Sequence, residues 1–127
     1  MDIYNFHQMT DLSACIQKMQ KDAEEGKTDS PEQRNFIVAG YLSDVAHIES
    51  RKGTLFCKFN VNDFTGGQQL FMFNDHYLRN KHFLENDNKL IFEISVKRSS
   101  RVNDKRPYIT IEKIVLLENV MKLYTKR

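Results

Sequence analysis

Residues 36–77 read FIVAGYLSDVAHIESRKGTLFCKFNVNDFTGGQQLFMFNDHY. The run over 36–48 is rich in β-branched and aromatic residues and carries Gly40 inside it, which predicts a strand with a sharp bend or bulge. Glu49 to Gly53 form a charged loop. Leu55, Cys57, Phe59 and Val61 then alternate with Phe56, Lys58, Asn60 and Asn62, the period of a half-buried strand with the first set facing a core. Asp63-Phe64-Thr65-Gly66-Gly67 is a turn by composition. Gln68 to Phe73 repeat the alternation, with Leu70 and Met72 inward. Together these pieces predict the first half of a small, strongly curved antiparallel barrel, because closing so small a sheet needs a coiled first strand.

Downstream, residues 75–84 fit a short helix capped by Asn74 or Asp75, with Tyr77, Leu78, Phe83 and Leu84 on its buried side. Lys89 to Lys97 predict a fourth strand with Leu90, Phe92, Ile94 and Val96 inward and Ile91, Glu93 and Ser95 outward. A fifth strand runs from Pro107 to about Leu117, and its alternation slips near Lys113, the mark of a bulge. Upstream, Leu12, Cys15, Ile16 and Met19 fall at i, i+3, i+4, i+7 on one helix face. Thr10 or Asp11 is the expected cap and Gly26 the expected stop. Ser30-Pro31-Glu32-Gln33 resembles a capping box with room for only a short helical turn. Three strands, a helix and two strands is the order of the OB-fold. The predicted class is all-β with minor α: a five-stranded Greek-key OB-fold barrel over 35–118, an N-terminal helical extension over 1–34 and a basic tail over 119–127.

The chain has 127 residues, which suits one domain, and a net charge of only +2, so bulk charge does not announce a nucleic-acid binder. Charge is unevenly spread, however. Lys97, Arg98, Arg101, Lys105 and Arg106 cluster around a single acid, Asp104, whereas residues 22–32 are predominantly acidic. Cys15 and Cys57 could form one disulfide, but free thiols in a reducing, cytoplasmic setting are the preferred reading. No basic-then-apolar leader and no run of membrane-spanning length is visible, so neither a signal peptide nor a membrane partner is expected.

The motif F-x-V-A-G-x-x-S-x-V (Phe36 to Val45), the Lys52-Gly53 loop, F-x-x-F-x-V-x-D-F-T-G-G (Phe56 to Gly67), L-F-M-F-N-D-x-Y (Leu70 to Tyr77) and I-x-I-E-K-I-x-L-L (Ile109 to Leu117) resemble the OB-fold near the C-terminus of the bacterial replicative DNA polymerase III alpha subunit. The likeness spans about 35–118. Residues 13–34 are longer and more acidic than that family leads one to expect, and Phe59-Asn60-Val61-Asn62 departs from its usual apolar-Thr-apolar-Glu run. The resemblance implies a non-catalytic module that holds single-stranded nucleic acid, DNA or RNA, near other replication proteins. Polymerase chemistry would then lie outside these residues.

OB barrels bind strands across the outer face of strands two and three, between the first and last loops. Phe56 and Phe71 fall on that face as base-stacking candidates. Phe73 shares their parity but, directly before a helix, is expected to anchor the core. The alternative is that these rings cover a second small core beneath the N-terminal helix. Arg51 and Lys52 in the first loop, and Lys97, Arg98, Arg101, Lys105 and Arg106 around the last, are candidate phosphate contacts. Lys58 and Asn60 can reach sugar or base edges. The Asp63–Gly67 turn reads as structural, since no G-K-[ST] follows to make a phosphate loop. The histidines lack metal spacing with the cysteines, and no nucleophile set or paired carboxylates stand out, so neither a metal, a cofactor nor an active site is expected. A protein-interaction barrel with little nucleic-acid affinity is the competing function. Sequence alone leaves oligomeric state open.

Overall fold

A computed structural model describes residues 6–27, 31–99 and 105–119. Ser30, Arg101, Asp104 and the tail from 120 lie outside them. The elements are α1 (Met9–Glu25), β1 (Gln33–Glu49), β2 (Leu55–Asn62), β3 (Gly67–Phe73), α2 (Asn74–Asn80), a 3-10 turn (Lys81–Phe83), β4 (Lys89–Lys97) and β5 (Tyr108–Leu116). The strands make one antiparallel sheet in the order β3-β2-β1-β4-β5.

The seventeen-residue β1 organises this sheet by dividing its length between two neighbours. Gln33 to Tyr41 pair with β4, whereas Tyr41 to Glu49 pair with β2. The strand thus links a β2–β3 half to a β4–β5 half. At the junction, a Cβ on Gly40 would stand 2.5 Å from the Asn62 carbonyl oxygen and 2.8 Å from Val61 Cγ1. Glycine is required there for close backbone approach. The bulge itself falls further on, between Ser43 and Ala46, where Asp44 takes φ 52°. Asn86 Oδ1 accepts from the amide of Val45 at 3.0 Å, so this irregular stretch keeps a hydrogen-bond partner.

One core joins both halves: Phe36, Val38 and Leu42 of β1 meet Phe59, Leu70, Phe92, Ile94 and Ile111. Met9, Leu12, Cys15 and Met19 of α1 belong to the same cluster, and α1 lies against β3. Each fully buried Leu or Met of this kind contributes about 1.5–3 kcal/mol. The helix stops where expected, at Gly26 with φ 70°. Cys15 and Cys57 are both buried and free.

Several expectations are corrected. The cap of α1 is Gln8, two or three residues earlier than Thr10 or Asp11, with the Asp11 carboxylate accepting from the Gln8 amide at 3.3 Å. No helical turn forms at Glu32-Gln33, because β1 already begins at Gln33. The helix over 75–84 is two pieces, α2 and the 3-10 turn; α2 starts at Asn74 itself, after Phe73, without a side-chain cap. Within it Tyr77 is buried, but Leu78 faces solvent. Leu55, at the open end of its hairpin, is also exposed. On β4, Ile91 and Ser95 are buried rather than outward. Ile91 lies between Ala39 of β1 and Val115 of β5, and the Ser95 hydroxyl accepts from Gln33 Nε2 at 3.0 Å. The predicted slip near Lys113 is present: Glu93 pairs with Lys113 and Ile94 with Ile111, leaving Glu112 as the extra residue.

The sheet does not close. β3 and β5 are its two ends, and neither is laddered to the other.

Candidate nucleic-acid interface

The outer face of β2 and β3 follows from register. Phe56 stands across from Phe73, Lys58 from Phe71, and Asn60 from Gln69. The rings of Phe56 and Phe73 stack with centroids 5.3 Å apart at 27°, and those of Phe71 and Phe73 at 6.1 Å and 13°. Three aromatic side chains therefore form a continuous row. Phe71 is 43% and Phe73 48% exposed, while Phe56 is half-buried at the end of the row. Phe73, expected in the core, is instead the middle ring. Its side chain points away from Met72 by strand parity, and α2 turns off behind it without covering it. Phe71 and Phe73 also line a groove with Ile16 and Gln20 of α1, but neither ring is buried beneath the helix.

The cations fall on two flanks of the row. Arg51 and Lys52 occupy the β1–β2 turn, which is closed by hydrogen bonds from the amide of Ser50 to the Thr54 carbonyl and of Gly53 to the Ser50 carbonyl. They lie just beyond Leu55 and Phe56. On the other flank, Lys97 ends β4 across from Tyr108, and Arg106 lines a groove of about 400 Å³ together with Phe71, Phe73, Tyr108 and Ile109. Arg98 follows Lys97 and anchors its backbone on the Glu32 carbonyl at 2.9 Å; Lys105 is exposed beside Arg106. Lys58 stands on the face itself, directly across from Phe71. The Lys18–Asp22 and Lys27–Glu25 ion pairs lie along α1 and just past its end. Tyr108 was not anticipated. Only its position at the head of the fifth strand, opposite in parity to Ile109 and Ile111, hinted at an outward ring.

Asn60 is partly occupied, since its Nδ2 donates to the Asp44 carboxylate at 2.9 Å. Its carbonyl oxygen is the group left for a ligand, and the bulge at Asp44 fixes its direction. Asn62 is likewise tied to Ser43 Oγ at 2.8 Å. The far end of the β2–β3 face is thus rigid and polar, and the near end aromatic and cationic.

The Asp63–Gly67 turn has a role that local sequence did not disclose. Asp63 Oδ1 accepts from the Thr65 hydroxyl at 2.6 Å, the Thr65 amide at 2.8 Å and the Gly66 amide at 3.1 Å. Its Oδ2 accepts from the amide of Met9 at 2.9 Å, and Thr65 Oγ1 accepts from the amide of Thr10 at 3.3 Å. The turn caps α1 from 54 residues away. Burial opposes ionisation of Asp63, but the Thr65 hydroxyl and the amides of Met9, Thr65 and Gly66 outweigh it and hold the carboxyl below its ordinary value.

Beneath the ring row, burial pushes the Cys57 thiol up to about 11. Burial, with the nearby Cys57, also raises Tyr77, whose hydroxyl lies 2.6 Å from His47 Nδ1; the other ring nitrogen, Nε2, faces the Leu84 carbonyl at 3.0 Å. A carbonyl can only accept, so Nε2 carries the proton and Nδ1 accepts from Tyr77. This network seats α2 and the 3-10 turn behind the hairpin. Among the described residues no three His, Cys, Asp or Glu side chains come together to hold a metal ion, and no helix is long and apolar enough to cross a membrane.

The chain matches no family model and no curated protein.

Proposed function

We propose that this chain is a non-catalytic module that binds single-stranded nucleic acid, DNA in the first instance, on the outer face of β2 and β3, and that its curled sheet is an OB barrel left open between β3 and β5. The observation that carries the reading is the row of Phe56, Phe73 and Phe71, stacked on one another, partly solvent-exposed and flanked by cations on both sides. Flat apolar rings accept any base, and each stacked base gains about 1–3 kcal/mol. Arg51, Lys52, Lys58, Lys97, Arg98, Lys105 and Arg106 supply the phosphate contacts, which read little sequence. The motif resemblance to the polymerase III alpha subunit supports a setting in DNA replication, with the strand held for a catalytic region elsewhere and other replication proteins nearby.

The test is fluorescence anisotropy of a labelled oligo-dT at low and moderate salt. Wild type binds, with log K falling by about 0.7 per log unit of salt for each phosphate neutralised. Phe56→Ala/Phe71→Ala removes two platforms and weakens binding by about 30-fold or more, at roughly 1 kcal/mol or more per ring. Absence of binding at low salt sinks the reading. Binding unchanged in a folded double variant removes the stacking half of it.

A further inference from the structure

At the polar end of the β2–β3 face the side-chain amides are turned one way only. Asn60 Nδ2 donates to Asp44 Oδ2 at 2.9 Å. A carboxylate oxygen accepts and does not donate, so the Asn60 amide cannot reverse without setting two acceptors against each other. Asp44 is in turn held by the backbone. It sits at φ 52° in the β1 bulge, a conformation that Asp and Asn adopt more readily than other side chains. Asn86 Oδ1 ties that bulge by accepting from the Val45 amide at 3.0 Å. The Leu42 amide donates to the Asn88 carbonyl at 3.0 Å, and the Leu42 carbonyl accepts from the Asp87 amide at 2.8 Å. Asn60 therefore presents Oδ1, an acceptor, on the partly exposed outer face. Next along β2, Asn62 Nδ2 is spent on Ser43 Oγ at 2.8 Å and the Tyr41 carbonyl at 3.3 Å. Its Oδ1 packs against Gly67, where a Cβ would collide with it. The exposed Asp44 carboxylate adds a second acceptor beside Asn60, and no described residue forms an ion pair with it.

We propose that Asn60 Oδ1 and the Asp44 carboxylate select a base that carries an exocyclic amine beside Phe71, and disfavour thymine and uracil there. This rests on the strand-binding role proposed above. Lys58 stands across from Phe71 and Asn60 across from Gln69, so Asn60 and Phe71 are diagonal neighbours on one face. Such pairs lie about 7–8 Å apart, which brings the edge of a base lying on the Phe71 ring to Asn60. Cytosine N4, adenine N6 and guanine N2 each turn an NH2 donor outward. Thymine and uracil carry a single N–H between two carbonyl oxygens, and one of those oxygens would meet the Asn60 and Asp44 acceptors. Charge points the same way. Asp44 repels phosphate and Lys58 attracts it, which leaves the base edge, not the backbone, for Asp44. Gln69 is exposed, and among the described residues nothing fixes its side-chain amide, so it turns either end outward and adds no preference.

The experiment compares, by fluorescence anisotropy, oligo-dT with the matching oligomer of 5-methyldeoxycytidine, each of about twelve nucleotides. The two bases share ring size and methyl group and differ in the amine and the ring proton, so stacking is matched. Wild type is expected to bind the methylcytosine oligomer about fivefold or more tighter, the effect of one hydrogen bond gained against one acceptor clash. Asn60→Leu removes the acceptor and brings the two affinities together. Asp44→Asn keeps a residue suited to the positive φ but frees both amides to turn, so it narrows the ratio while Asn60 is still present. Circular dichroism checks the fold of each variant. Equal binding of the two oligomers by wild type, or tighter binding of oligo-dT, overturns the selectivity and leaves the stacking face standing. Binding of neither at low salt ends both readings. A preference that survives Asn60→Leu overturns the assignment to Asn60, and one that survives Asp44→Asn overturns the locking of its amide.

Discussion

Replacing Asp63 by Ala tests whether a turn in the sheet holds the N-terminal helix. The substitution deletes the acceptor of the Met9 amide, in a residue that is fully buried, along with three acceptor contacts inside the turn. An orphaned buried donor costs about 1–3 kcal/mol and a lost cap about 0.5–2 kcal/mol. The two overlap, because both count the Met9 amide, so the expected loss is about 2–4 kcal/mol. Asp63→Asn keeps one oxygen but sets an NH2 against a donor, and is expected to lose about 1–2 kcal/mol. Urea denaturation at neutral pH gives the numbers, and hydrogen exchange at Met9 and Thr10 gives the place. The pH dependence has a definite sign. The folded carboxyl sits below its unfolded value of about 3.9, so its stabilisation is full above that value and is lost as pH falls through the folded one. The gap between wild type and Asp63→Asn should therefore be constant from neutral pH down to about pH 5 and shrink in stronger acid. An Asp63→Ala protein within about 0.5 kcal/mol of wild type, or one whose Met9 amide stays protected, would refute the reasoning.

Two further outcomes are expected. Gly40→Ala forces a methyl within 2.5 Å of the Asn62 carbonyl oxygen at the β1 junction, so thermal or urea unfolding should show a loss of about 1–3 kcal/mol, with amide shifts centred on Tyr41 and Asn62; a neutral substitution would mean the junction is not tight. Cys57 is fully buried with its thiol pushed up to about 11, so a thiol reagent at about pH 8 should label it only as fast as the protein opens, and rapid labelling of the folded protein would contradict that burial.

The strands were legible because their signal is local. Cys57, Phe59 and Val61 alternate without interruption, β4 was bounded to the residue by Lys89 and Lys97, and even the slip at Glu112 interrupts a period that sequence can count. What escaped was set by tertiary neighbours. Ile91 read as outward by parity, yet β4 has a strand on each side, and Ala39 and Val115 cover it. Ser95 is buried at no loss of hydrogen bonding only because Gln33, 62 residues away, donates to it. The cap of α1 was sought among Thr10 and Asp11, where propensity puts caps, but half of it is supplied by Asp63 and Thr65 across the fold. No local pattern encodes a cap donated from another element.

The candidate site divides along the same line. Phe56, Lys58 and Phe71 could be named in advance because parity on β2 and β3 assigns them to one face. Phe73 obeys that parity too, and its period is a stronger signal than its place directly before a helix. Tyr108 is different in kind, and Arg106, which its charge marks as a candidate, could not be placed beside these rings from sequence. They reach Phe71 and Phe73 because β1 gives its first half to β4 and its second to β2, which brings β5 round towards β3. The junction that makes glycine necessary at position 40 thus also brings Arg106 to the aromatic row. A substitution that stiffens this junction should act on both stability and ligand affinity, although Gly40 is itself no part of the binding face.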